Sequence, residues 1–96
     1  MAQEIISMPA GDSLRIKFSM TEDRVVVSLD GYTITVTVAT TPTPTAVSMS
    51  GSGAYTVITI PRGSITTVGM YDADIVADNG TYRDTKPFRL RVDAHP

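Results

Sequence analysis

A chain of 96 residues suits one domain with a modest core, because a protein of this size buries only about 60–65% of its unfolded surface. It contains no cysteine, which excludes disulfides and thiolate metal sites. Eight basic and ten acidic side chains leave a formal charge of −2, too weak a field to steer nucleic acid or an anionic membrane.

No apolar run approaches the roughly 18–20 residues that span a bilayer. Residues 1–6 also lack the basic start and long apolar stretch of a signal peptide. The chain is therefore expected to stay in the cytoplasm that makes it unless an assembly carries it out.

Residues 4–8 form a short edge strand, which Pro9 ends because proline cannot donate to a ladder. After Gly11 and Asp12, Leu14, Ile16, Phe18 and Met20 share one face of an extended segment, with Arg15 and Lys17 on the other. Thr21-Glu22-Asp23 is a polar turn. Val25, Val26, Val27 and Leu29 then restart a strand before the Asp30-Gly31 turn. These pieces are expected to be antiparallel neighbours.

Residues 32–39 carry the clearest signal. Tyr32, Ile34, Val36 and Val38 alternate with Thr33, Thr35 and Thr37, the period of a half-buried strand built from β-branched residues. Residues 40–53 are rich in Thr, Pro, Ser and Gly without a sustained period, and predict a long flexible loop. Val47 and Met49 offer that loop a short edge strand or an apolar contact. A Gly/Ser linker is expected to replace most of it without loss of the fold.

Residues 55–60 are the next strand, and Pro61-Arg62-Gly63 stops it. Residues 64–68 leave room for one helical turn capped by Ser64. In residues 70–77, Tyr71, Ala73, Ile75 and Ala77 alternate with Met70, Asp72, Asp74 and Val76. Asp78-Asn79-Gly80 is a hairpin turn, since Asn and Gly tolerate positive φ. A last strand over residues 81–92 turns Phe88, Leu90 and Val92 inward, and residues 93–96 are a tail. About seven short strands and no convincing helix predict a single-domain, all-β, antiparallel immunoglobulin-like sandwich, with a small barrel as rival.

Candidate chemistry is sparse. His95, the sole histidine, lies in the tail, where a general base would lack a fixed partner and pocket. Neither a Ser/His/Asp arrangement nor a nucleophile elbow is present. Asp72, Asp74 and Asp78 have the chemistry of calcium ligands but not the glycine and terminal glutamate of an EF-hand loop. Asp72 and Asp74 are better placed to pair with Arg89 and Arg91 across a hairpin. Arg15, Lys17, Arg89 and Arg91 would form a basic strip if their strands align, but phosphate recognition also needs stacking aromatics, and only Tyr55 and Tyr82 are candidates. No catalytic, metal or cofactor site is expected, and neither nucleic acid nor membrane as partner.

Four segments carry a family likeness: Gly11-Asp12-Ser13-Leu14-Arg15-Ile16-Lys17-Phe18, Leu29-Asp30-Gly31-Tyr32-Thr33-Ile34, Val68-Gly69-Met70-Tyr71-Asp72-Ala73-Asp74-Ile75 and Phe88-Arg89-Leu90-Arg91-Val92. In this order they resemble the immunoglobulin-like domain of bacteriophage virion proteins, notably the N-terminal domain of baseplate upper proteins. The likeness covers nearly the whole chain. It departs at Glu22-Asp23-Arg24, where a glycine would stand at the turn, and no coiled coil or fibre domain is expected after Val92, so the chain is expected to act as a free-standing module that docks on a partner. The resemblance implies a non-enzymatic virion protein, made in the bacterial host cytoplasm, that docks on the tail, neck or baseplate. A capsid decoration protein and a carbohydrate- or peptide-binding module are the alternatives. Phage structural proteins, or further copies of the chain, are the implied partners. Thr41, Pro42, Pro44, Val47 and Met49 of the loop, with Ile5 and Ile6 of the edge, are the candidate contacts.

Overall fold

In the computed structural model, which describes residues 4–94, the chain forms nine strands and no helix among the described residues. They are β1 (Glu4–Pro9), β2 (Leu14–Phe18), β3 (Met20–Glu22), β4 (Val25–Val27), β5 (Thr33–Val38), β6 (Thr45–Ser50), β7 (Thr56–Ile60), β8 (Gly69–Asp78) and β9 (Arg83–Asp93). Among those residues, accordingly, no helix is long and apolar enough to cross a membrane.

β5 is an interior strand. Its alternation buries Ile34, Val36 and Val38, each contributing roughly 1.5–3 kcal/mol against an exposed reference. Antiparallel neighbours flank it on both sides, with Val36 opposite Val47 of β6 and Ile75 of β8. The full sheet runs β1-β9-β8-β5-β6. A second pair, β2 and β7, is antiparallel with Ile16 opposite Ile58. It contributes Ile16, Phe18, Ile58 and Ile60 to the core that the larger sheet lines with Ala73, Ile75, Ala77, Phe88, Leu90 and Val92. Leu29 and Ile65 plug this core from connecting segments.

Several expectations are corrected. The strand count is nine, not seven, and the large sheet is mixed rather than wholly antiparallel, because β1 pairs with β9 in parallel, Ile6 beside Leu90. Residues 40–53 are not one long loop. A turn containing a cis Thr41-Pro42 peptide leads into β6, which pairs with β5 along its whole length. Partly buried, Val47 and Met49 pack against the core. A Gly/Ser linker would therefore remove a strand.

The extended segment expected from Leu14 to Met20 is split at Ser19 into β2 and β3, and the strand expected over residues 25–29 is shortened to β4. β4 folds back on β3 as a hairpin around Asp23 (φ 51) and Arg24 (φ 67), while β2 pairs with β7 rather than with its neighbours in sequence. Ser64 donates its N–H to the Pro61 carbonyl at 3.2 Å in a turn, and no helical turn follows. Asp93 closes β9 opposite Pro9, so it does not belong to a tail. His95 lies outside the described residues.

Candidate binding cleft between a hairpin arm and a turn

Two turns remote in sequence place the tyrosines, Tyr32 and Tyr82, of a cleft beside the β3–β4 arm. The first begins at Leu29, whose N–H donates to the Gly53 carbonyl at 2.8 Å and whose own carbonyl accepts the Tyr32 N–H at 3.1 Å. Asp30 Oδ1 accepts the Gly53 N–H at 3.0 Å. The Gly51 N–H donates to the Tyr32 carbonyl at 2.8 Å. This knot demands glycine at position 51, where a Cβ would stand 2.5 Å from the Leu29 carbonyl oxygen. It anchors Tyr32 at the head of β5, its ring half-buried against the core.

The second turn joins β8 to β9. Asp78 lies opposite Arg83, so residues 79–82 make the reversal, with Gly80 at φ 90. Asn79 Oδ1 accepts the N–H groups of Thr81 and Tyr82 at 2.9 and 2.7 Å, and Asp78 Oδ1 accepts that of Gly80 at 2.8 Å. These side-chain bonds replace ladder bonds within the turn. They hold Tyr82 in place while leaving it 69% exposed.

Between this turn and the β3–β4 arm lies a cleft of about 570 Å³, within the range that holds small ligands or a few peptide residues. Met20, Val27 and Tyr32 supply an apolar lining, Tyr82 an aromatic edge, and Glu22, Arg83 and Asp84 charges of both signs. Such a surface can pack a ring or an aliphatic side chain and orient it by polar contacts. No motif in the sequence ties these residues into a shared site. The Asp78-Asn79-Gly80 signal marks one wall, and Met20 and Val27, on either side of a polar turn, belong to the other.

A shallower depression of about 690 Å³ covers the outer face of the large sheet, where Thr33, Thr35 and Thr37 run beside Asp74 and Asp78. Thr35 and Ser48 share a hydroxyl hydrogen bond of 2.9 Å on that face. Asp72 is drawn away to Arg89, its ladder partner, at 3.5 Å. Asp74 stands opposite Pro87 rather than an arginine, and Arg91 pairs with Asp93 at 3.3 Å. Among the described residues, no three acidic, His or Cys side chains gather closely enough to hold a metal ion.

The basic strip does not form. Arg15 and Lys17 belong to the β2–β7 pair, and Arg89 and Arg91 to the large sheet. All four are exposed while their strand neighbours share one core, so the two pairs point to opposite sides. Lys17 instead lies over the Tyr55 ring, 4.2 Å from its centroid.

Nor do the expected contact residues make one patch. Exposed Thr41, Pro42 and Pro44 lie in the β5–β6 turn, and Val47 and Met49 sit on one edge strand of the large sheet. Ile5, which is exposed, and Ile6, which packs against the core, lie on the opposite edge. No protein-family model matches the chain, and no curated protein matches it significantly.

Proposed function

We propose that this chain is a non-enzymatic structural protein of a bacteriophage virion, an immunoglobulin-like β-sandwich acting as an adaptor on the tail, neck or baseplate. The observation that supports the immunoglobulin-like part of this reading is the strand order. β5, β8 and β9 adjoin as the C, F and G strands do in immunoglobulin-like domains, β6 extends them as C′ does, and β2 pairs with β7 as B with E. Tyr71 strengthens it: near the start of β8, its hydroxyl donates to the Thr67 carbonyl at 2.6 Å, as in the tyrosine corner of that fold. Ala73, two residues on, is buried where antibody domains carry a cysteine.

The virion assignment rests on the likeness of the four segments quoted above. Its test is gold-labelled antibody against the protein on intact particles from a lysate of the source, viewed by electron microscopy. Label confined to the tail or neck is expected. Label over the head would shift the reading to capsid decoration, and particles free of label would overturn the virion role.

The cleft beside Tyr82 favours a second reading, a peptide- or carbohydrate-binding module. Saturable binding of a glycan or peptide by the isolated protein, lost in Tyr82→Ala, would promote that reading over the first.

A further inference from the structure

The two edges of the large sheet are built differently. At β1, Glu4 pairs with Lys86 at 3.6 Å and a proline closes the strand, devices that discourage pairing with another chain. β6 has neither charge nor proline, and no charged residue occurs between Asp30 and Arg62.

The phase of the β5–β6 ladder settles which backbone groups this edge presents. The Gly51 N–H bonds the Tyr32 carbonyl, and hydrogen-bonded and non-bonded pairs alternate along an antiparallel ladder. Thr45, Val47 and Met49 therefore direct their N–H and C=O groups to β5. Ala46, Ser48 and Ser50 direct theirs to the open side, where no further strand follows. All three carry small, exposed side chains that shield nothing.

We propose that β6 joins two copies of this chain edge to edge, antiparallel about a two-fold axis at Ser48. An isologous contact requires self-complementarity, and β6 has it. With Ser48 opposite Ser48, Ala46 faces Ser50 on either side, and every pair exchanges both of its backbone hydrogen bonds. An axis at Val47 would instead set Pro44 against Ser50 and lose a donor. Opposed residues of an antiparallel ladder share a face, so half-buried Val47 meets Met49 of the second copy and the apolar inner row continues across the junction. No like charges are opposed. This inference is independent of the virion reading.

Sedimentation velocity of the intact chain from ~1 to ~500 μM tests it, since an edge-only contact belongs to the weak end of protein association. A concentration-dependent dimer is expected. Ser48→Lys sets two ammonium groups across the axis and is expected to weaken the dimer ~10-fold or more, with an unchanged melting curve. Ser48→Pro removes the outward N–H and, like Ser48→Lys, gives up the exposed hydroxyl bond to Thr35, so it is expected to act likewise. Ser48→Ala, which loses that hydroxyl bond alone, is expected to leave the dimer intact. A protein that stays monomeric at ~500 μM would overturn the proposal, as would a dimer that survives Ser48→Lys or one that Ile5→Lys dissociates instead.

Discussion

Val36 and Val25 are the same residue in similarly β-branched runs, yet Val36 is 1% exposed and Val25 66%. Their neighbours make the difference. β5 is paired on both sides and covered on its inner face by β2 and β7 residues of the same core. The β3–β4 arm is a sheet of its own, three residues to a strand, turning through two non-glycine residues with positive φ. β-propensity measures how well a side chain fits a pleated, half-buried surface. On the arm that surface is largely missing, so the valines there form a wall of the cleft and a solvent face.

Substitutions can break this contrast or sharpen it. The largest effect is expected from Ile34→Asp, which sets an unpaired carboxylate among wholly buried apolar groups. The loss should be about 4 kcal/mol or more, a large part of the roughly 5–15 kcal/mol that holds such a domain together. Circular dichroism should show an unfolded chain at room temperature. A soluble variant with unchanged melting would contradict the assignment of that face.

A matched pair of valine truncations tests the contrast most directly. Val36→Ala should lower stability in urea by about 2–3 kcal/mol through lost burial and a residual cavity, whereas Val25→Ala should stay within about 0.5 kcal/mol of the parent. Equal losses at the two positions would mean that the arm is packed as firmly as the sheet. The smallest effect has the opposite sign. Arg24→Gly relieves a side chain held at φ 67, and a gain of about 0.5–1 kcal/mol is expected in the same titration.

Legibility followed the range of the interactions. β5, β8 and the inward residues of β9 announced themselves by alternation, because which side chains can share a core is written locally in a period of two. The β8–β9 turn was equally plain, since Asn79 and Gly80 satisfy its geometry with their own atoms. Residues 40–53 misled because Thr, Pro, Ser and Gly describe a loop in isolation, whereas β6 takes its hydrogen-bonding partner from β5. The parallel β1–β9 pairing joins the two ends of the chain, and no local pattern encodes it. The cleft belongs to the same class: Met20, Tyr32 and Tyr82 come from three segments with no shared motif.

The sequence by itself determined that this protein is all-β, which residues of its main strands face inward, and where its β8–β9 reversal falls, because steric preference and alternation act within a few residues. Only the tertiary structure decided that β1 runs parallel to β9, that β6 leaves an uncharged edge open, and that Tyr82 overlooks a cleft. Each of these depends on which segment lies beside which, and that is settled by packing across the whole core rather than by any one stretch of chain.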